Sequence, residues 1–253
     1  MQSSFFDARG IAELGSLGGV SGAKLVDWLP HGRYAVKEHS GALPPYTLVS
    51  EWLAADVASL LDLPVPARQV VPCGQNDAFG LEWRADAKSF QPGMEAKLTN
   101  PEAVIGMIAF DVFVCNRDRH SGNVLLQRPS PDMERYTLYL VDHSHALIGD
   151  LADMGDFARW CNSHPDPGSF IQVAPQELRG LVDDLARFDP WVSRIGALTR
   201  SQFEESAARI PTSWKPSPDE IPSLIDFLIS RQNAMQGLIG QAGPYLPNLN
   251  VQP

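Results

Sequence analysis

Residues 99–142 carry the pattern that most restricts how this 253-residue chain can fold. "TNPEAVIGMIAFDVFVC" (99–115) is apolar on nearly every side yet too short for a bilayer, which takes about 20 apolar residues. It therefore predicts a helix inside a protein core, with Thr99 or Asn100 as N-cap and Pro101 at the first helical position. Directly after it, "NRDRHSGN" crowds two Asn, two Arg, an Asp and a His into eight positions. Two short apolar runs come next, "NVLLQ" and "TLYLVD", which read as strands. Paired as an antiparallel hairpin, they place Asn123 at the start of one strand and Asp142 at the end of its partner, both at one edge. Asn and Asp are hard oxygen ligands of the kind Mg²⁺ takes when phosphates complete its shell. Asp118, nearby in the loop, is placed to accept a proton from an attacking hydroxyl. That arrangement serves phosphoryl transfer.

The rest of the chain divides in composition. Up to about residue 95 it reads as short strands with one helix: "AKLVDWLP" and "GRYAVKEH" meet across a His-Gly turn, and "ARQVVPC" and "AFGLEW" are two further strands. Between them "YTLVSEWLAADVASLLDL" has Leu48, Trp52, Ala55 and Val49, Leu53, Val57, Leu60 at helical spacing, stopped by Pro64 and Pro66. Beyond about Ile148 the pattern is helical, in "PQELRGLVDDLARF", "TRSQFEESAARI" and "EIPSLIDFLISRQNAMQGLIG". Strands first and helices later predicts an α+β fold of two lobes. Residues 1–95 form the small strand-rich N-lobe that holds a nucleotide, and 96–253 the larger helical C-lobe with the catalytic and substrate-binding parts. Trp52 and Trp83 are expected in the core.

The N-lobe supplies what the loop lacks. "GSLGGVSGAKLV" is a Gly/Ser-rich turn able to bring backbone N–H groups close to phosphates, with Gly18, Gly19 and Ser21 in it. Lys37 lies near the end of the next strand but one, as phosphate-pairing lysines do, and Glu51 in the following helix is placed to hold it by an ion pair. Gly loop, strand Lys, helix Glu, then Asp-x₄-Asn and a second Asp is the order of parts in protein kinases. Lys24 is the alternative phosphate-contacting lysine.

Charge and cysteine usage narrow the surroundings. The net charge is −10, and from Asp150 onward 13 acidic residues face 8 basic ones, with no basic stripe of the kind nucleic-acid binders carry. This predicts no direct nucleic-acid partner and no lipid substrate. The three Cys (Cys73, Cys115, Cys161) are far apart with no CxxC, which fits a reducing compartment. "MQSSFFDARG" has neither a basic n-region nor an apolar h-region, so no secretory signal is expected and the location expected is cytoplasmic, without membrane contact.

On "SLGGVSGAK", "YAVKEH", "SEWLAADVASLLDLPVP", "NRDRHSGNVLL" and "LVDHSHAL" the chain resembles the HipA-like kinases, bacterial Ser/Thr kinases known as toxin components. It is closest in kind to short members that lack an extra N-terminal subdomain. The resemblance spans about residues 10–240, and "DRHSGN" is also similar to the phosphatidylinositol 3- and 4-kinases. It implies an atypical protein-kinase-like fold using ATP and Mg²⁺, with Asp118 as catalytic base, Asn123 and Asp142 on the metal, and Lys37 on the ATP phosphates. A protein substrate and an antitoxin-like regulator of a toxin–antitoxin pair are implied by the same resemblance, as is autophosphorylation on Ser16 or Ser21. Two departures stand out. Asp142-His143-Ser144 replaces Asp-Phe-Gly, and His120 follows the loop Asp where protein kinases place His before it.

His120 is grouped with Asp118 and Asn123 as catalytic, although a loop His more often braces its own turn. Asn116 is expected to brace the loop. Two rival functions remain. An aminoglycoside-type phosphotransferase shares the Asp-x₄-Asn spacing and a later metal Asp. A metal-dependent hydrolase would use Asp118, His120, Asp142, His143 and His145, the last two on one face of an extended segment.

Overall fold

Alternation and turn chemistry build the N-terminal sheet. The computed structural model describes residues 10–18, 22–39, 43–73, 76–148, 165–214 and 220–249. Strands β1 (Ile11–Gly18), β2 (Ala23–Trp28) and β3 (Gly32–Glu38) form an antiparallel meander, and β4 (Arg68–Cys73) and β5 (Asn76–Glu82) complete a five-stranded sheet in the order β1-β2-β3-β5-β4. Gly32, which opens β3, has φ +105, a conformation that favours glycine. The period of two splits the strands between two cores. Tyr34, Val36, Val71 and Ala78 join Ile11 and Val26 in a small cluster, while Phe79 and Leu81 of β5 belong to the main core.

Helix α1 (Thr47–Leu60) connects β3 to β4 and is buried on all sides from Thr47 to Ala58, including Ser50, Glu51 and Asp56. The apolar stripes legible in its sequence are thus only part of what it buries, and only Leu60 of those positions is exposed. Two of its buried polar residues, Glu51 and Asp56, form ion pairs with other elements. The helix ends before Pro64, with Asp62 in the left-handed region at φ 58.

Helix α2 (Glu102–Phe113) is the buried helix expected, but neither Thr99 nor Asn100 caps it. Both are used by a strand instead. Asn100 donates to the Leu138 carbonyl (3.2 Å) and accepts from the Leu138 N–H (2.9 Å), and Thr99 Oγ1 donates to the Tyr136 carbonyl (3.2 Å). The reason lies in a second sheet, β6 (Lys88–Ser89), β7 (Val124–Gln127) and β8 (Thr137–Leu140), in that order. Edge strand β8 would bury unpaired backbone groups, which is costly, and Asn100 satisfies them as a further strand would.

The C-terminal part is helical: α3 (Gly168–Ile171), α4 (Gln176–Arg179), α5 (Asp189–Ala197), α6 (Arg200–Ala208) and α7 (Glu220–Gly240). Helix α7 spans the stretch the periodicity marks, and α6 begins at a Thr199/Gln202 capping box. The single helix expected over 175–188 is instead one turn, α4, and a 3-10 turn at Leu185–Phe188. Asp184 breaks the pattern by accepting from the Ala186 N–H (2.9 Å). Helix α5, with Pro190 in its first turn, escaped the sequence reading. Gly106 lets α2 sit against Trp191 and Leu63, since a Cβ there would lie 2.5 Å from the indole. The protein is therefore α+β, with a strand-rich N-terminal part and a helical C-terminal part. Among the described residues no helix is long and apolar enough to cross a membrane, and the buried Cys115 is a free thiol; Cys161 lies outside them.

Candidate active site

The polar loop begins where α2 ends. Arg231 of α7, itself fully buried, donates from Nη2 to the Val112 carbonyl (2.6 Å) and from Nε to that of Phe113 (3.1 Å), satisfying the open end of the helix. Cys115 then turns the chain through the left-handed region at φ 55. Asn116 braces the loop from within: its amide donates to Asp111 (2.8 Å) and its oxygen accepts the Asp118 N–H (3.2 Å). His120 closes the loop by accepting the Gly122 N–H on Nδ1 (2.9 Å), which fixes the 3-10 turn Ser121–Asn123. Its Nε2 stands 3.6 Å from Asp118 Oδ2, and His145 Nε2 stands 4.0 Å from the same oxygen.

The hairpin geometry brings the two ligand-type residues together. Val124 pairs with Leu140, and the Val141 N–H donates to the Asn123 carbonyl (3.2 Å), so Asn123 and Asp142 occupy one end of the ribbon. The Asn123 amide nitrogen is committed to Asp118, at 2.7 Å from its carbonyl and 3.2 Å from its carboxylate. That leaves the Asn123 side-chain oxygen as the atom to ligate a cation. Asp142 sits at φ 53, a strained position for a non-glycine residue. Its Oδ1 accepts from Ser144 Oγ (2.6 Å) and from Lys37 Nζ (2.6 Å).

Lys37 is a bridge between the two parts of the chain. Its ammonium pairs with Glu51 Oε1 as well as Asp142, and the His143 N–H holds the other Glu51 oxygen at 2.8 Å. Burial alone would pull the Lys37 ammonium down, but the two carboxylates raise it above its ordinary value. Burial pushes Glu51 up to about 7 against the pull of Lys37. Asp142, which burial would also raise, is held well below the usual carboxylate range by Lys37 and Ser144. The site thus keeps one strongly acidic carboxyl group and one buried carboxyl whose charge depends on Lys37.

These groups line a cleft of about 580 Å³ between the sheet and the loop. Gly18, Lys37, Glu51, Asp118, His120, Asn123 and Asp142 all border it. Gly19 and Ser21 lie outside the described residues. Ser16 accepts the Gly18 N–H (3.1 Å). Lys24, the alternative phosphate contact, is instead paired with Glu38 (3.0 Å) and Glu13 (3.2 Å) across the meander. Trp83 is not a core residue: it comes after β5, is half-buried and lines the cleft. Period-two patterning marks a side chain as covered, not by what.

Arg119 is the residue sequence reasoning passed over. Fully buried, it pairs with Asp111 (3.0 Å), donates to the carbonyls of Asn123 (2.9 Å) and Val141 (2.8 Å), and bonds His143 Nδ1 (3.0 Å). One guanidinium therefore ties the loop, both strands of the hairpin and the segment after Asp142 to α2. The only sequence sign of it was Asp111, a charge inside an otherwise apolar helix. Burial and the Arg119 charge hold His143 well below its ordinary value, so it is neutral, with Nδ1 the acceptor. His143 and His145 do not share a face. The Ala146 N–H donates to the His143 carbonyl (3.0 Å), and the resulting turn buries His143 while His145 faces outward. Among the described residues no three His, Cys, Asp or Glu side chains gather as a metal centre would require.

No protein-family model and no curated protein matches this chain. Among solved structures it is similar to the Helicobacter pylori proinflammatory kinase CtkA, with a TM-score of 0.64 and 13% sequence identity over 94% of each chain. It is also similar to HipA of Shewanella oneidensis MR-1, solved with HipB and operator DNA, with a TM-score of 0.49 and 16% identity, covering 95% of this chain and 67% of that one. The likeness to CtkA extends over nearly the whole molecule, and the fold of this chain is kinase-like.

Proposed function

We propose that the chain is an ATP- and Mg²⁺-dependent phosphotransferase that moves the γ-phosphoryl group of ATP to a Ser or Thr hydroxyl of a protein. One observation carries the reading: Lys37, Glu51, Asp118, Asn123 and Asp142, drawn from segments up to 105 residues apart, border a single cleft of nucleotide size. In it residues 1–95 serve as the nucleotide-holding lobe and 96–253 as the catalytic one.

The donor set fits the cofactors. Asn123 and Asp142 present two hard oxygens at one strand edge, too few for an all-protein metal site but suited to a Mg²⁺ ion whose shell is completed by phosphate and water. When bound, that ion supplies charge neutralisation at the transferred group. Lys37, pinned between Glu51 and Asp142, is a fixed positive charge for phosphate oxygens. Asp118, its backbone held by Asn116 and its carboxylate flanked by two imidazoles, orients the acceptor hydroxyl and takes its proton. His120 supports this mainly by holding the turn. Phosphoryl transfer asks little covalent chemistry of a protein, and a preorganised set of charges answers what it does ask.

The surplus of acidic residues beyond Asp150 favours a polypeptide acceptor over lipid headgroups or nucleic acid, since like charges slow encounter with polyanions. A regulator of the antitoxin kind rests on the resemblance alone, and copurification with a tagged chain tests it. For the acceptor, the purified protein is given labelled ATP and Mg²⁺ with a cell lysate, phosphoinositide vesicles and aminoglycosides in parallel. Label entering a discrete protein band supports the proposal. Label on lipid or aminoglycoside alone keeps the chemistry and overturns the acceptor, and no transfer anywhere overturns the phosphotransferase reading.

A further inference from the structure

In kinases the helix that carries the lysine's glutamate is a common point of control, because the ion pair must be in place for turnover. Here that helix is α1, and its surroundings are unusual for an element that swings. On the cleft side Glu51 is held by Lys37 and by the His143 N–H. On the far side the next residue, Trp52, donates from Nε1 to the Ser206 carbonyl of α6 (3.0 Å). One turn further on, the buried carboxylate of Asp56 pairs with Arg68 of β4 and with Arg209, the residue that ends α6. Both guanidinium groups lie over the Trp52 indole, at 5.7 and 6.0 Å from its centre. Trp52 also meets Trp214 edge-on at 6.1 Å, and Trp214 reaches back to donate to the Asp77 carbonyl of β5 (2.9 Å). Past the end of α1, the Pro64 carbonyl accepts the Leu140 N–H of β8 (2.8 Å).

We propose that α6 and the turn after it form a strap, with Trp52, Asp56 and Arg209 as positioning residues that keep Glu51 against Lys37. The inference rests on the phosphotransferase reading for its effect on rate, but not for its geometry. A buried carboxylate such as Asp56 must be paired, and Arg68 alone would pair it within the N-terminal part. The second guanidinium comes from the C-terminal helices and so converts a local ion pair into a tether. Trp52 adds a donor that only α6 accepts. The helix is thereby held in its productive place without ligand or modification, and the tether, rather than the cleft, is where α1 would be released.

Arg209→Ala is the direct test. The Arg209 side chain is 57% exposed, and Arg68 still pairs Asp56 in its absence, so the variant folds. Two measurements are made on the intact chain. First, an amine-reactive probe is applied and labelling mapped by mass spectrometry. Lys37, only 7% exposed, is protected in the parent. It should label about fivefold faster or more in Arg209→Ala and in Trp52→Phe, through local opening of α1, while Lys24 labels unchanged. Second, Mg²⁺-ATP turnover is measured. The kcat should fall about tenfold with a smaller change in KM, because a displaced lysine harms the transition state more than ground-state binding. Arg209→Lys should restore much of both, and Arg200→Ala, at the other end of α6, which breaks an exposed pair with Asp226 of α7, should change neither. Parental Lys37 labelling in both strap variants overturns the proposal whatever the turnover. Faster labelling in a protein that never turns over ATP upholds the strap and removes the phosphotransferase reading instead.

Discussion

Asp142 Oδ1 lies 2.6 Å from Lys37 Nζ, joining the third strand of the N-terminal sheet to the end of the hairpin 105 residues later. The contact puts a lysine and a carboxylate, both given roles in the proposed phosphoryl transfer, side by side in the cleft. Asp142 is not there to support a core, since it remains partly open to the cleft and adopts a strained backbone.

Asp118→Asn and Asp142→Asn are therefore expected to lower ATP turnover by about 10²-fold or more, the usual loss for a contact made in the transition state. Melting temperatures should stay within a few degrees of the parent. Parental turnover in either variant, measured by phosphate release, would exclude the assigned roles.

Arg119 and Asp111 separate stability from positioning. Asp111→Ala leaves a guanidinium buried without its counter-ion and should cost about 3–5 kcal/mol in urea unfolding. Replacing both, as Asp111→Leu with Arg119→Met, should recover most of that loss. Turnover should not recover, because the carbonyls of Asn123 and Val141 lose their shared donor. A double variant as active as the parent would show that the four-way tie is dispensable.

Trp83 borders the cleft, whereas Trp52, Trp191 and Trp214 are buried away from it. Addition of ATP or ADP should change the intrinsic fluorescence of the parent protein, and Trp83→Phe should lose most of that change. Calorimetric binding should persist in the variant. A full fluorescence response without Trp83 would place the nucleotide elsewhere.

Gly106→Ala tests the packing of α2. Its Cβ would lie 2.5 Å from Trp191 and 2.7 Å from Leu63, so the two side chains must move. Overpacking of this kind costs about 1–3 kcal/mol, read as a lower urea midpoint with an unchanged slope.

How much of this molecule is legible in its sequence depends on which contacts are local. Lys37 and Glu51 were legible because a strand followed by a helix leaves few ways to arrange them. Asn123 and Asp142 were legible because a hairpin register fixes its own ends. Arg119 was not, since its partners are two backbone carbonyls, a carboxylate on another element and the His143 ring beyond the hairpin, and a bond to a carbonyl leaves no trace in side-chain pattern. Asn100 was misread for a related reason. An Asn before a helix is ordinarily its cap, and only the three-dimensional neighbour β8 shows a stronger claim on the same side chain. The stretch 175–188 looked helical on its apolar spacing alone, while Asp184 favoured a local turn.

The burial of α1 has a consequence for how the protein comes apart. Leu48, Leu53 and Val57 share one apolar core with Phe113, Phe203 and Leu228 of the helical part. Heat should then produce a single calorimetric endotherm whose van't Hoff and calorimetric enthalpies agree, with no early melting of the sheet. Leu228→Ala, buried in α7 far along the chain from any strand, should lower the transition seen by a probe on β3 as much as that seen by one on α7 itself.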